Sequence, residues 1–247
     1  MHSKLLMRKI VLLSISILLL GSVQAQDKAK VSRKIDISSR PGDHLMIQFS
    51  SDHLSAMPDS ISSHQKGFSK GFNAYFMLDK PFKSSPKYSI GIGIGVGSSN
   101  IAFKKMNVDI KSNTTKLPFT ATDSTNHFKK YKLSLSYLEI PLEFRYSSDP
   151  LNPGKSLKFA IGIKAGTLIN AHTKGKTLQS KNNTLVNDYM QKENSKKFFN
   201  STRFMGTVRV GYGIFSLFAS YQLNTVLKDV VGPPMKLYQI GFTLSGL

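Results

Sequence analysis

The sequence predicts an all-β fold, eight antiparallel strands closed into an up-and-down barrel, and three regularities predict it. Apolar residues recur at every second position in eight separate stretches, which is the period of a strand with two unlike faces. The connectors between these stretches alternate short and long. Aromatic side chains collect on the apolar face beside each short connector. A soluble barrel would hide its apolar face inside and show water the other. Aromatics at strand ends instead suit a lipid–water boundary, which makes this an eight-stranded transmembrane β-barrel with short periplasmic turns and long external loops.

In chain order, the first element is a leader. Lys4, Arg8 and Lys9 form a basic start, Ile10 to Leu20 is an almost wholly apolar run, and Val23-Gln24-Ala25 ends in the small-x-small manner of a signal-peptidase site. The run is too short for a bilayer, which needs about 20 apolar residues, so residues 1–25 read as a signal peptide cleaved near Ala25 rather than as an anchor helix. Residues 26–43 show no apolar period and read as a periplasmic tether, leaving 44–247 for the barrel. There is no cysteine, which excludes disulfides, thiolate metal sites, a cysteine nucleophile and a lipidated N-terminus.

The strands follow. Leu45, Ile47 and Phe49 share a face in the first, and Phe72, Ala74, Phe76 and Leu78 in the second. Tyr88 to Val96 alternate with glycine in the third. Leu138 to Tyr146, Phe159 to Ala165, Phe204 to Tyr212, Phe215 to Tyr221 and Tyr238 to Leu244 complete the set. Short links fall at 83–87, 147–155 and 213–214, and longer polar ones at about 52–70, 101–133, 174–201 and 225–235. An even strand number puts both ends of the barrel at the short-turn side.

The girdle beside the short turns comprises Phe82, Tyr88, Tyr146, Phe159, Tyr212 and Phe215. A second belt near the long loops would use Phe72, Tyr137, Phe204, Tyr221 and Tyr238. The opposite face lines the lumen and carries Glu139, Glu143, Arg145, Lys158, Lys164 and Arg209. Charges there need partners, and folding the fourth strand onto the fifth sets Glu139 opposite Lys164 or Glu143 opposite Lys158, according to register. Eight strands leave a lumen that side chains fill. Gly91, Gly93, Gly95 and Gly97 give that lumen almost no side chain from the third strand. They do not form a dinucleotide fingerprint, because position 96 is Val and no helix follows. The bare stripe is expected to make room for Tyr75, Met77, Glu139 and Arg145.

The hexapeptide Tyr137-Leu138-Glu139-Ile140-Pro141-Leu142, in the middle of an eight-strand pattern, resembles the hallmark segment of the PorT-like outer-membrane β-barrel proteins of Bacteroidota, over about residues 40–247. Pro141 removes one ladder donor, and the outward phase from Leu133, Leu135 and Tyr137 to Leu138 implies a bulge. The resemblance implies an outer-membrane location in a Gram-negative cell and, for the family's namesake, a part in secretion.

The net charge is +20, and +17 once the three cations of the leader are gone. Export makes nucleic acid an improbable partner and turns attention to lipid phosphates and acidic polysaccharide. Two outer loops are each net +5: one with Lys104, Lys105, Lys111, Lys116, Lys129 and Lys130, with Lys132, the other with Lys174, Lys176, Lys181, Lys196 and Lys197, with Lys192 and Arg203. These are candidates for contact with lipopolysaccharide or capsular acids, against the plainer reading of solvated loops. His44, His53, His64, His127 and His172 are scattered and lack a nucleophile motif, and no metal-ligand spacing occurs. The sequence therefore points to no cofactor and no catalytic group. The expected function is a non-catalytic barrel that supports the envelope or a secretion assembly with a protein partner. A surface-binding or transport-related barrel is the alternative, and a lipid A-modifying enzyme stands behind both.

Overall fold

The computed structural model describes residues 45–245, so the leader, the tether, His44 and the last two residues lie outside the described part. In chain order the strands are β1 (Leu45–Ser55), β2 (Lys70–Pro81), β3 (Tyr88–Phe103), β4 (Met106–Val108), β5 (Phe119–Ala121), β6 (His127–Ser147), β7 (Leu157–Gln179), β8 (Leu185–Asn194), β9 (Thr202–Tyr212), β10 (Phe215–Gln222) and β11 (Lys236–Ser245). Eight of them pair in the order β6-β3-β2-β1-β11-β10-β9-β7, and β7 returns to β6 to close the barrel. Every pairing is antiparallel. Closure leaves no edge in the membrane, which is what a spanning sheet requires. Among the described residues no helix is long and apolar enough to cross a membrane.

Three strands stand outside the ring. β4 and β5 form a small separate ladder in the second outer loop, and β8 folds back on the outer half of β7, whose inner half belongs to β9. About half of the expected loops at 101–133 and 174–201 is thus strand. Apolar alternation stops where the outward positions become Lys, Asn and Ser, but the backbone ladder does not. A one-turn helix, α1 (Asp59–Ser62), occupies the first outer loop.

Outward residues along the inner stretch of each strand are apolar and exposed, among them Phe76, Ile92, Ile140, Ile161, Val210, Leu217 and Ile240. At the short-turn rim Tyr88 sits opposite Tyr146 and Tyr146 opposite Phe159. The Tyr88 ring lies 5.3 Å from that of Tyr146 and 5.8 Å from that of Phe144, and Phe82 also packs on Phe144. Tyr212 faces Phe215 across the tightest turn, where Gly213 takes φ +60°, a conformation that favours glycine.

The interior has two unlike halves. Beside the apolar belt it is polar, with Gln48, Asp52, Asn73, Glu139, Glu143, Arg145, Lys164, Arg203, Arg209 and Gln239 all buried. Beyond it lies an apolar core in which Ile101, Phe103, Leu133, Leu135 and Tyr137 of the strands meet Ile61, Met106, Val108, Ile110, Leu117, Phe198, Phe199, Val226 and Leu227 from the connecting segments. The expectation of wholly polar loops is therefore corrected: they bury these side chains as a cap on the barrel.

That cap also corrects the phase of β6. Leu133, Leu135 and Tyr137 point inward with Glu139, in unbroken alternation, and Tyr137 is buried rather than part of an outer belt. The irregularity belongs to β7, where Ser136 pairs with Asn170 and Tyr137 with Leu168, leaving Ile169 as an extra, exposed residue. Phe72, Phe204 and Tyr221 do lie exposed on the outer surface, and Tyr238 is half-buried against His53.

Candidate functional site

The lumen is organised around β6. Its inward row of Tyr137, Glu139, Glu143 and Arg145 runs between two strands that give almost no side chain at the matching positions. On one side β3 sets Gly97, Gly95, Gly91 and Ser89 against these four. On the other, β7 sets Gly166 against Glu139, Gly162 against Glu143 and Ala160 against Arg145. The large side chains lie over these small neighbours. A Cβ on Gly97 would meet the Glu139 carboxylate, Arg203 and Asn73, one on Gly95 the backbone of Ala74 and Tyr75, one on Gly93 Met77, and one on Gly91 the Arg145 guanidinium.

Two charge clusters result. In the outer one, Nε and Nη2 of Arg203 donate to Oε1 of Glu139 at 2.9 and 2.5 Å, and the Tyr75 hydroxyl donates to Oε2 at 2.5 Å. Glu139 and Arg203 are each 1 % exposed at the side chain. In the inner one, Nε of Arg145 and Nη2 of Arg209 donate to Oε2 of Glu143 at 2.8 and 2.9 Å, and Nη1 of Arg145 reaches Asp79 at 3.5 Å. Asp52 is held by Ser50 and by the Gln239 amide at 2.9 Å.

The expected lumen residues thus fall in different places. Glu143, Arg145 and Arg209 come together, whereas Glu139 takes Arg203, which the sequence reading counted as a loop charge. Lys164 is buried opposite Pro141, with its ammonium 5.7 Å from the Tyr75 ring and 5.9 Å from that of Phe218. Lys158 lies half-buried at the inner rim opposite Ser147. Neither proposed register holds: the 3₁₀ turn at Pro153–Lys155 lengthens the connection, so that Glu139 and Glu143 face glycines of β7 and reach over them to β9. Arginine suits this better than lysine, because its planar fork can bind a carboxylate with two donors. Pro141 has its expected effect, since the β3–β6 ladder is interrupted between the pairs Ile92–Leu142 and Gly95–Glu139.

The expected basic residues do not form one surface. Lys130, Lys174 and Lys176 share the outward face of the β6–β7–β8 extension. Lys129 precedes them on the opposite parity, and Lys104, Lys105, Lys111, Lys116, Lys181 and Lys196 are spread over separate connections. Lys197 has its ammonium on the Ser112 carbonyl at 3.0 Å, tying two connections together.

The histidines are likewise apart. His53 stacks on Tyr238, His127 bonds Asn183 and His172 lies by Asn170. His64 has Ser63 Oγ 3.1 Å from Nδ1 and Asp123 Oδ2 2.9 Å from Nε2. The order superficially resembles a catalytic triad, yet Nδ1 also donates to the Ser60 carbonyl at 3.0 Å. A nitrogen carrying that hydrogen cannot take the Ser63 proton. Among the described residues no group of His, Cys, Asp and Glu could hold a metal ion.

The family comparison agrees with this architecture. No curated protein matches the chain. Three chains of solved structures match it, among them the crystal structure of Ail, the attachment invasion locus protein of Yersinia pestis. That structure is 9% identical with TM-score 0.34, over 81% of this chain and 94% of that one. The model of the family described as outer membrane protein beta-barrel domain matches residues 24–231. This range takes in every barrel strand but β11, and by it the chain belongs to the outer membrane protein beta-barrel domain family and is a protein of the outer membrane.

Proposed function

We infer that this chain is a non-catalytic, non-conducting barrel that serves the envelope as a structural or secretion-assembly component. The observation that carries the reading is the filled interior: two arginine–carboxylate clusters occupy the membrane half, and an apolar cap closes the outer half. A pore needs a continuous wet path, and a hydrolase needs a cleft where nucleophile, base and substrate meet. The hexapeptide 137–142 likens the chain to PorT-like barrels, and its part in the fold supports that finer kinship. Tyr137 carries a guanidinium, Glu139 anchors a cluster, and Pro141 opens the ladder.

The test is to reconstitute the purified barrel in a planar bilayer and to compare the lipid A mass spectrum of a deletion strain with its parent. No conductance steps and an unchanged spectrum are expected; stepwise currents or a missing lipid A modification would overturn the reading. Cross-linking followed by purification in mild detergent then identifies the envelope partner. A second reading, contact with an anionic surface through basic outer segments, is favoured by one arrangement of lysines.

A further inference from the structure

Beyond the belt, the outward face of the β6–β7–β8 extension changes character. Lys132 stands opposite Lys174, which stands opposite Lys192, and Lys130 stands opposite Lys176. Like charges directly opposite on neighbouring strands destabilise a sheet, and here three lie in one row with two more beside them. Among the described residues no carboxylate forms an ion pair with them, and Asp188, two residues before Met190 on β8, is bonded to the Thr177 hydroxyl at 2.6 Å. Their outward neighbours are Asn100, Ser134, His172, Met190 and Asn194, while Glu193 falls on the other face, opposite Thr173. The Lys132 ammonium donates to Asn100 Oδ1 at 2.6 Å. Burial and the ammonium groups of Lys174 and Lys192 hold Lys132 below the ordinary lysine value, and burial with all three lysines lowers His172. The row is therefore strained electrostatically when nothing anionic faces it.

Its height says what faces it. The outward row of β6 reads Tyr146, Phe144, Leu142, Ile140, Leu138, Ser136, Ser134, Lys132, Lys130. Measured from Tyr146 at the inner rim, an apolar band of ~25 Å on a strand tilted by ~40° ends near Ser136. Lys132 then stands about 10 Å and Lys130 about 15 Å above the band. Phospholipid headgroups reach only about 5–7 Å from the hydrocarbon. Anionic groups carried further out, on the sugars of a glycolipid, match both lysines.

We propose that the lysine row Lys132–Lys174–Lys192, with Lys130 and Lys176, is a lateral docking face for the phosphorylated sugar headgroup of lipopolysaccharide in the outer leaflet. This deepens the second reading above and rests on it. The ligand lies beside the barrel, against the outer wall, and the loop tips stay free. Salt weakens the contact, as for any exposed charge pairing.

The experiment uses the full chain in phosphatidylcholine nanodiscs, alone or with purified lipopolysaccharide, with the same lipopolysaccharide after removal of its phosphates, or with phosphatidylglycerol. Intact lipopolysaccharide is expected to raise the melting temperature of the wild type, and neither of the other two additions to match it. The triple variant Lys132→Gln, Lys174→Gln, Lys192→Gln is expected to melt above the wild type in phosphatidylcholine, because the repulsion is gone. It should bind intact lipopolysaccharide at least tenfold more weakly, with Lys181→Gln, Lys196→Gln unchanged as the control. Should the triple variant fold poorly, Lys174→Gln in the middle of the row should weaken binding at least threefold. Wild-type affinity in these variants, equal loss in the control, or equal stabilisation by dephosphorylated lipopolysaccharide or phosphatidylglycerol would overturn the proposal. Heat-modified gel mobility reports the barrel independently, so failure here leaves the sealed-barrel reading untouched.

Discussion

Arg203 lies over the face of Tyr137, its guanidinium carbon 3.9 Å from the ring centroid, while the same guanidinium binds Glu139 through two donors. The three side chains join β6 to β9 across a glycine of β7 and mark the level at which the polar lumen gives way to the apolar cap. Removing one partner leaves the other charged and buried, which costs about 3–5 kcal/mol. Arg203→Met and Glu139→Gln should each lose that much in urea unfolding followed by gel mobility. The double variant should recover part of the loss, since Arg203 no longer lies unpaired, while the buried ammonium of Lys164 still lacks the Glu139 carboxylate. A double variant as unstable as the sum of the singles would refute the pairing.

The stripe of β3 makes a sharper demand at Gly95 than at most positions, because an added Cβ there meets backbone of β2 as well as the Tyr75 ring. Gly95→Leu should cost about 1–3 kcal/mol or more through overpacking. Gly206→Ala, where nothing lies within 4 Å of the added atom, should be close to neutral. Equal stabilities for the two variants would remove the steric account.

The cap can be tested at Phe198 and Phe199, both buried at 1 % exposure. Truncating either to alanine should cost about 3–5 kcal/mol. The loss should appear first as faster hydrogen exchange in residues 104–126 and 223–235, with the membrane strands still protected. Uniform loss of protection through the whole barrel would show instead that cap and barrel melt as one.

One contact between outer segments depends on pH. The hydrogen bond from His64 holds the Asp123 carboxyl below its ordinary value of 3.8, with burial opposing weakly. A carboxyl lowered on folding stabilises above its unfolded pKa and loses that contribution as pH falls through the folded one. Exchange protection around residues 60–65 and 121–125 should hold at pH 6 and fall as the pH drops below 3.8. In Asp123→Asn the protection should be weaker throughout and flat across that window.

Val230 is a β-branched residue at φ +67° and is 87 % exposed. The left-handed region costs such a residue about 1–2 kcal/mol relative to glycine. Val230→Gly should therefore raise stability by about 1 kcal/mol, less the backbone freedom glycine regains in the unfolded chain. A drop in melting temperature would indicate that the Val230 side chain has a role its exposure hides.

The ring of eight strands was legible because lipid writes its own period into the outward residues, and Phe159, Ile161 and Ile163 could sit nowhere else. Where the wall leaves the lipid, that signal ends. The outward positions of β6 become Ser136, Ser134, Lys132 and Lys130, so a strand of 21 residues reads as a shorter one followed by a loop. The inward row meanwhile turns apolar at Tyr137, Leu135 and Leu133, which mimics a change of face. Arg203 was misplaced for the same reason: it follows a run of loop lysines, and only the register with Gly166 puts it over Glu139. Its one sequence signal was parity, since Arg203 shares the inward phase of Met205, Thr207 and Arg209.

The strands β6 and β7, at 21 and 23 residues, are about twice the ~10 residues that a tilted strand needs to cross lipid. Their outer halves, together with Phe198, Phe199 and the rest of the apolar cap, belong to the far side of the bilayer. Those side chains must therefore cross the membrane to reach the place where they are buried. One chain thus carries two cores of opposite character: a polar one within the lipid and an apolar one at the cell surface.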